Sequence, residues 1–333
     1  MIILYCKDSG EAIKQTISSL NIPFKTIGDV FLLNVEVEQF LNLLEHFPQD
    51  VLRKLRLYVY NEETPEIKVE KLIEAGFNSI SIDELLEEHM FKNLSQVLSN
   101  GKIYFHAIID VKRKKLYGFE ALCRLSIPIY KLFKVSDRIA LLADKYCRNH
   151  ALSEFPRIYS SSPYYLFLNF HPKFLKNPLE NVGSFIANLM NKGIDPSKIV
   201  VEIDEYEGME LKSLKLIRDF LKAERIRVAL DDVGAGYSGL YQLTEIHPDI
   251  AKIDMALVRD IHKHTVKQSV LKGLVEACKS AGIKVLVEGV EKREELEFIL
   301  NLDVDLIQGF IFGKPDPYPN VKEIEKLAYD LLS

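Results

Sequence analysis

The sequence predicts an α/β protein in two parts: a TIM-like (β/α)8 barrel over residues 98–333, preceded by a small α/β domain over residues 1–95. Eight near-continuous apolar runs alternate with amphipathic helical patterns, as in a closed parallel barrel whose strands are buried on both faces. A length of roughly 235 residues also suits a barrel of this kind. An open doubly wound sheet is the alternative, but no glycine-rich phosphate turn follows the first strand.

The barrel strands are predicted from short apolar runs bounded by polar residues. In chain order these runs are 103–110, 117–122, 164–169, 199–203, 226–232, 249–254, 283–288 and 305–309. Helical patterns lie between most of them, at 136–154, 179–192, 211–224, 266–281 and 293–300.

Strand-like and helical segments also alternate in residues 1–95, which favours a small α/β domain. Strands are predicted at 1–6, 29–35, 55–61 and 77–82, and helices at 11–20, 37–46, 69–76 and 83–99. Residues 71–89 resemble the closing strand and helix of a response-regulator receiver, but no aspartate ends the third apolar run, so phosphorylation is not expected. The domain is interpreted as degenerate and receiver-like, or as an unrelated α/β domain for regulation or association. A structural extension of the barrel is the remaining alternative.

Composition excludes several classes of protein. Hydrophobic residues make up 47% of the chain, charged residues 27%, and the net charge of −5 gives no general attraction to a nucleic acid polymer. The four cysteines share no metal-ligand spacing and suggest no disulfide framework, and no apolar run is long enough for a membrane span. These features predict a cytoplasmic protein without a membrane span.

Polar side chains stand at the ends of most barrel strands. Because the carboxyl ends of parallel strands meet at one mouth, these residues should share a single site. They are Glu120, Asn169, Glu202, Asp231 with Asp232, Lys252, Glu288 and Gln308.

So many carboxylates in one place repel each other unless cations accompany them. An all-oxygen set of ligands suits Mg²⁺ or Mn²⁺, and two such ions at one site suit attack at phosphorus. A single acid at a strand end is more often a helix cap or a solvated residue, but the agreement of many strand ends favours a metal site.

The motifs in residues 103–317 resemble those of EAL-domain cyclic di-GMP phosphodiesterases. The naming motif is Glu120-Ala121-Leu122, followed by Arg124. The further motifs, in order, lie at 168–172, 200–205, 231–240, 252–254, 287–291 and 308–315. The resemblance implies hydrolysis of cyclic di-GMP to linear pGpG with two Mg²⁺ or Mn²⁺ ions.

The resemblance also implies residue roles. One metal would be held by Glu120, Asn169, Glu202 and Asp231, and the second by Asp231, Asp232 and Glu288. Lys252 would position or help deprotonate the attacking water, and Glu291 and Gln308 would order the water and its surroundings. Glu288 is counted as a catalytic residue as well as a metal ligand. Substrate contacts would come from Leu122, Arg124, Asn169, Asp232 and Gln308.

A loop over residues 233–241 is expected to support a homodimer through the barrel. Gly234 and Gly236 give the loop its mobility, and the resemblance implies that Glu205 ties it back. Ca²⁺ should inhibit, because it fills oxygen sites in looser geometry and activates water poorly.

Two departures and two alternatives remain open. The first strand carries His106-Ala107 where many EAL domains have Gln-Pro, which puts the base contacts in doubt, and the stretch after Arg124 predicts a reshaped loop. The chain could instead be a receptor that binds cyclic di-GMP without turnover. A metal-dependent barrel enzyme of another chemistry is the third hypothesis.

Overall fold

The computed structural model describes the chain apart from residues 7–9, 60–74, 76–78, 160–163, 172–177, 204–210 and 235–238. The chain divides into two compact units, Met1–Gln96 and Val97–Ser333. The helix predicted at 69–76 falls almost entirely outside the described residues.

The first unit contains an antiparallel sheet with helices. Its described strands are β1 (Ile2–Tyr5), β2 (Phe24–Ile27), β3 (Val30–Leu33), β4 (Arg56–Val59) and β5 (Ile80–Ser81). Its helices are α1 (Gly10–Ser19), α2 (Val37–Leu43) and α3 (Gln49–Leu52). The sheet order is β2-β3-β1-β4-β5, and all the neighbouring strands are antiparallel.

The order β1-α1-β2-β3-α2-β4, with β1 between β3 and β4, is the ferredoxin-like split β-α-β arrangement. Alternation along β1 buries Ile2 and Leu4 in one core with Ile13 and Ile17 of α1. Receiver domains have a parallel, doubly wound sheet, so these strand directions do not support the receiver-like interpretation of residues 1–95.

The second unit is a closed eight-stranded barrel, as the sequence predicts. A long helix, α4 (Ile82–Ser99), precedes it. The strands are β6 (Lys102–Asp110), β7 (Lys115–Arg124), β8 (Tyr165–Phe170), β9 (Ile199–Ile203), β10 (Arg227–Val233), β11 (Ile250–Ile253), β12 (Lys284–Val287) and β13 (Leu306–Gln308). The helices are α5 (Ile129–Val135), α6 (Asp137–Tyr159), α7 (Pro178–Asn191), α8 (Leu211–Ala223), α9 (Gly239–Ile246), α10 (Met255–Val258), α11 (Thr265–Ser280), α12 (Arg293–Leu300) and α13 (Val321–Leu332).

The expectation of a fully parallel barrel is wrong at the first strand. β6 is antiparallel to both of its neighbours, β7 and β13, whereas the other pairs are parallel. Only residues 111–114 join β6 to β7, and so short a connection can form a hairpin but not a parallel crossover.

The barrel interior begins with a layer of apolar side chains, here named the floor layer. Seven of the eight strands contribute one residue each, and Gly118 stands at the equivalent position of β7. The seven are Ile108, Phe167, Val200, Ala229, Ile250, Leu286 and Leu306. They are at most 1% exposed, which closes the barrel beneath its mouth.

The expectation that the cysteines form no disulfide is wrong for one pair. Cys123 at the end of β7 is bonded to Cys147 of α6, with a Cα–Cα distance of 5.6 Å. Cys6 and Cys278 are buried thiols, as expected for small hydrophobic residues. Disulfides are rare in reducing compartments, so the cysteines no longer support the prediction of a cytoplasmic location. Among the described residues, no helix is both long and apolar enough to cross a membrane.

Candidate active site at the mouth of the barrel

One polar side chain from each strand lies next to the floor layer on the mouth side. Side chains two residues apart on a strand share a face, so each polar residue points into the barrel like its floor-layer neighbour. On the reversed β6 this residue precedes the floor residue instead of following it. The eight residues, here named the polar ring, are His106, Glu120, Asn169, Glu202, Asp231, Lys252, Glu288 and Gln308.

Lys252 is the centre of the polar ring. Its Nζ lies 2.6 Å from Oε1 of Glu202, 2.7 Å from Oδ2 of Asp231 and 2.9 Å from Oε1 of Glu288. The side chain is only 1% exposed. Burial acts to lower the pKa of Lys252, but the three carboxylates outweigh it and raise the pKa well above its ordinary value. The ammonium therefore stays charged.

Glu120 occupies the other side of the ring. The Nδ2 of Asn169 donates to its Oε1 at 3.3 Å, and the Nε2 of Gln308 donates to its Oε2 at 2.9 Å. Burial acts to raise the pKa of Glu120, but Lys252 and the bond from Gln308 lower it on balance. Glu120 is thus an oriented carboxylate that keeps its negative charge.

The ring holds more acid than its one ammonium can neutralise. Burial raises the pKa of Glu202 well above its ordinary value, and it raises that of Glu288 to about 8. Oε1 of Glu202 lies 2.6 Å from the Lys252 ammonium, and Oε2 is buried without a hydrogen-bond partner. Protons or additional cations must therefore complete the balance of charge.

Asp232 follows the ring residue Asp231 and breaks the alternation of β10. Its φ of 55° lies in the left-handed region, and the pairing of β10 with β11 shifts register between Leu230 and Val233. Such irregularities re-aim side chains next to active sites. Burial and then Asp231 raise the pKa of Asp232 to about 6, which places it within the electrostatic reach of the ring.

Two glycines shape the loops around the mouth. Gly234 has a φ of 99°, and a side chain there would meet Leu257. Gly309 directly follows Gln308, and a Cβ at this position would run into the backbone of Val290. Glu205 and Gly236, predicted to support the loop and the dimer, lie outside the described residues.

Three other predicted site residues are not members of the polar ring. Leu122 is half-buried and Arg124 is exposed at the end of β7. Glu291 is in the loop after β12, 3.3 Å from Nη2 of Arg259. The structure does not bring Glu291 into contact with the ring carboxylates.

Helix α6 braces the ends of the strands that carry Glu120 and Asn169. Asp144 and Arg148 form a buried ion pair on this helix, and Asp144 accepts a bond from the backbone N–H of His171 at 3.3 Å. The Arg148 guanidinium lies 4.1 Å from the ring centre of Phe170. The disulfide from Cys147 adds a covalent tie to β7. These contacts were not predicted from the sequence.

The donor set of the polar ring fits divalent metal ions. Four carboxylates and two amide side chains converge there, and Oε2 of Glu202 is buried without a partner. Among the described residues, however, the group whose ligand atoms all lie within 4.8 Å of each other is Asp260, His262 and Glu295, at a different place. Asp260 is already paired with Lys263 and Lys292. The ring carboxylates are instead arranged around the Lys252 ammonium.

A family model described as the EAL domain matches residues 79–315. The chain belongs to the EAL domain family. This EAL chain is 27% identical over 226 residues to the blue light- and temperature-regulated antirepressor BluF of Escherichia coli, covering 65% of the chain and 54% of BluF. It is 26% identical over 298 residues to the cyclic di-GMP phosphodiesterase PdeA of Borreliella burgdorferi, covering 85% of the chain and 43% of PdeA. The chain therefore spans about half or less of these relatives.

Solved EAL structures share the fold. A standalone EAL protein from Vibrio cholerae, in its c-di-GMP-bound form, is 27% identical with a TM-score of 0.59, covering 65% of this chain and 92% of that one. BlrP1 of Klebsiella pneumoniae, in a complex with manganese and cyclic di-GMP, is 21% identical with a TM-score of 0.60. That match covers 95% of this EAL chain and 97% of BlrP1, and at this identity it shows the fold alone.

Proposed function

We propose that this EAL protein hydrolyses cyclic di-GMP to linear pGpG with the help of two Mg²⁺ or Mn²⁺ ions. The polar ring carries the proposal, because its excess of buried carboxylate over the single ammonium creates a strong demand for divalent cations. A relative named as a cyclic di-GMP phosphodiesterase and a related structure that contains c-di-GMP support the choice of substrate.

In this proposal the ligand sets follow the family resemblance. Glu120, Asn169, Glu202 and Asp231 hold one ion, and Asp231, Asp232 and Glu288 hold the other. When bound, the ions supply Lewis-acid activation of water and neutralise charge on the phosphate. Ca²⁺ occupies the same oxygen sites but supports little turnover, since its looser geometry orients water poorly.

The residues of the chain do the positioning. Lys252, kept protonated by its three carboxylates, donates a hydrogen bond to the attacking water. Because its pKa is raised, Lys252 is better suited to orienting this water than to removing a proton from it. Gln308 fixes the Glu120 carboxylate from the adjoining side. Arg124, exposed at the strand end, binds a substrate phosphate, with Leu122 beside it. The fixed charges stabilise the transition state without rearranging.

The deciding experiment compares Asp232→Asn with the parent protein in Mg²⁺, Mn²⁺ and Ca²⁺. Calorimetry measures binding of cyclic di-GMP, and chromatography measures pGpG. The variant should lose turnover by orders of magnitude and keep substrate binding. Asp303→Asn, which removes an equal charge from an exposed position of the barrel unit, is the control and should hydrolyse normally.

A receptor is the second candidate function, because one relative is named an antirepressor. Binding of cyclic di-GMP by the parent without pGpG in any metal would establish the receptor function. Equal turnover by Asp232→Asn and the parent would refute the second ligand set.

We further propose a homodimer through the barrel, a cytoplasmic location, and a regulatory or association role for residues 1–95. Glu205→Ala should weaken metal binding and turnover while the fold stays intact. Sedimentation and activity of this variant test the dimer proposal, and full activity in a strict monomer contradicts it.

A further inference from the structure

His106 carries a buried nitrogen that no group in the described part of the protein satisfies. The side chain is 8% exposed, and its Nε2 is buried without a hydrogen-bond partner. Buried polar atoms in folded proteins almost always have a partner, so this nitrogen calls for a donor or a cation that binds to the site.

The position of His106 shows what kind of group could reach it. His106 and Glu120 are directly opposite in the antiparallel pair of β6 and β7. Opposite residues on one face have Cβ atoms about 5 Å apart, so the imidazole and the carboxylate are side by side in the polar ring. An ion held by Glu120 is therefore within the reach of the imidazole.

The surroundings of the ring favour ligation. The His106 imidazole packs 5.8 Å from the ring of Phe310. Burial lowers the pKa of His106 on balance, while hydrogen bonding to the backbone of Gly309 and Gly313 acts in the opposite direction. A histidine that has one nitrogen tied to the protein and the other nitrogen free has the arrangement usual for metal ligands. The neighbouring charge is mostly carboxylate, and the one ammonium, on Lys252, is already engaged by three acids.

We propose that Nε2 of His106 is a nitrogen ligand of the divalent metal that Glu120 holds, and that it makes this site prefer Mn²⁺ to Mg²⁺. The proposal rests on the metal-dependent function proposed above. Mg²⁺ binds oxygen ligands, whereas imidazole suits transition metals, so a nitrogen donor shifts the preference towards Mn²⁺.

The test uses the full chain loaded with Mn²⁺, without substrate. Pulsed electron paramagnetic resonance detects ¹⁴N coupled to the bound Mn²⁺, and labelling histidine with ¹⁵N shows whether the nitrogen is imidazole. His106→Gln keeps a side chain of similar size but offers oxygen instead of nitrogen. His150→Gln is the matched control, because His150 of α6 also has a buried, unpartnered ring nitrogen outside the polar ring. Circular dichroism checks that both variants fold.

The parent and His150→Gln should show histidine nitrogen on Mn²⁺, and His106→Gln should show none. Mn²⁺ affinity, measured from the signal of the free ion, should fall by roughly tenfold or more in His106→Gln, as it does when other groups around a metal site are removed. Mg²⁺ affinity should change little, so Mg²⁺ should displace Mn²⁺ more easily from the variant than from the parent. Bound Mn²⁺ without histidine coupling in the parent, or coupling that persists in His106→Gln, overturns the assignment of His106. A parent that binds no Mn²⁺ overturns the proposed metal-dependent function itself.

Discussion

Replacing Lys252 with methionine tests the charge balance of the polar ring directly. Methionine has a similar length but no charge, so the acids at 2.6, 2.7 and 2.9 Å from Nζ lose their counter-ion in a place that is 1% exposed. Removing one partner of a buried ion pair costs about 3–5 kcal/mol of unfolding free energy. In a barrel unit of this size the loss lowers the Tm by roughly 6–20 °C.

The stability that Lys252→Met loses should depend on pH. Burial raises the pKa of Glu202 and Glu288, and Lys252 partly opposes the increase. A carboxyl group with a raised folded pKa stabilises the protein below its unfolded pKa, and that contribution is lost as the pH rises through the folded pKa. Without Lys252 both pKa values rise further, so Lys252→Met should lose more stability at pH 8 than at pH 5.

Denaturation of the parent and Lys252→Met is followed in EDTA and again with Mn²⁺. Divalent ions replace the missing charge, so Mn²⁺ should restore much of the stability. Lys292→Met, which breaks an exposed ion pair with Asp260, is the control and should change little. Equal stability of Lys252→Met and the parent in EDTA at pH 8, or a deficit independent of pH, would refute the charge argument.

The other predictions each rest on a single feature of the structure. Metal binding at pH 7 should release protons, because Glu288 has a pKa of about 8 and must ionise to bind a metal ion. Calorimetry in buffers of different ionisation enthalpy measures this release, and finding none would contradict the prediction. Gly309→Ala should lose roughly 1–3 kcal/mol in chemical denaturation, since its Cβ has no room beside the neighbouring backbone. Gly273→Ala, on an open helix face, should gain about 0.5–1 kcal/mol by the same measurement. Reducing the Cys123–Cys147 bond should lower stability by about 3 kcal/mol, and an unchanged melting curve after reduction would argue that the two thiols are not joined.

The sequence predicts seven of the eight ring residues because each parallel strand is an apolar run with a polar residue at its carboxyl end. The carboxyl ends of all parallel strands meet at the mouth of a barrel, so polar residues that are distant in sequence are expected to lie together there. The same rule misleads at β6. An apolar run carries no direction, so the alternation alone does not show that β6 is reversed and that His106 is its residue at the mouth. His106 can be found by counting two residues back from Ile108, but only once the direction of β6 is known.

Other elements escaped prediction for local reasons. The strand Phe24–Ile27 is mostly exposed at the edge of its sheet and has no clear apolar alternation. The helix Ile129–Val135 is short and follows a proline, so its periodicity is weak. The bond between Cys123 and Cys147 depends on two elements meeting in space, which cysteine spacing cannot reveal.

The reversed strand also explains why the polar ring closes as it does. In the barrel order β6 separates β13 from β7, so Gln308 and Glu120 belong to strands about 9.6 Å apart by ordinary spacing. Their side chains nevertheless meet, with Nε2 of Gln308 donating to Oε2 of Glu120 at 2.9 Å. The bond must therefore pass across the inner face of β6, where His106 projects from the strand between them. Any ion that Glu120 accepts is consequently bordered by the amide on one strand and the imidazole on the next. A change at His106 should then alter how Glu120 is held even where the rest of the ring is untouched.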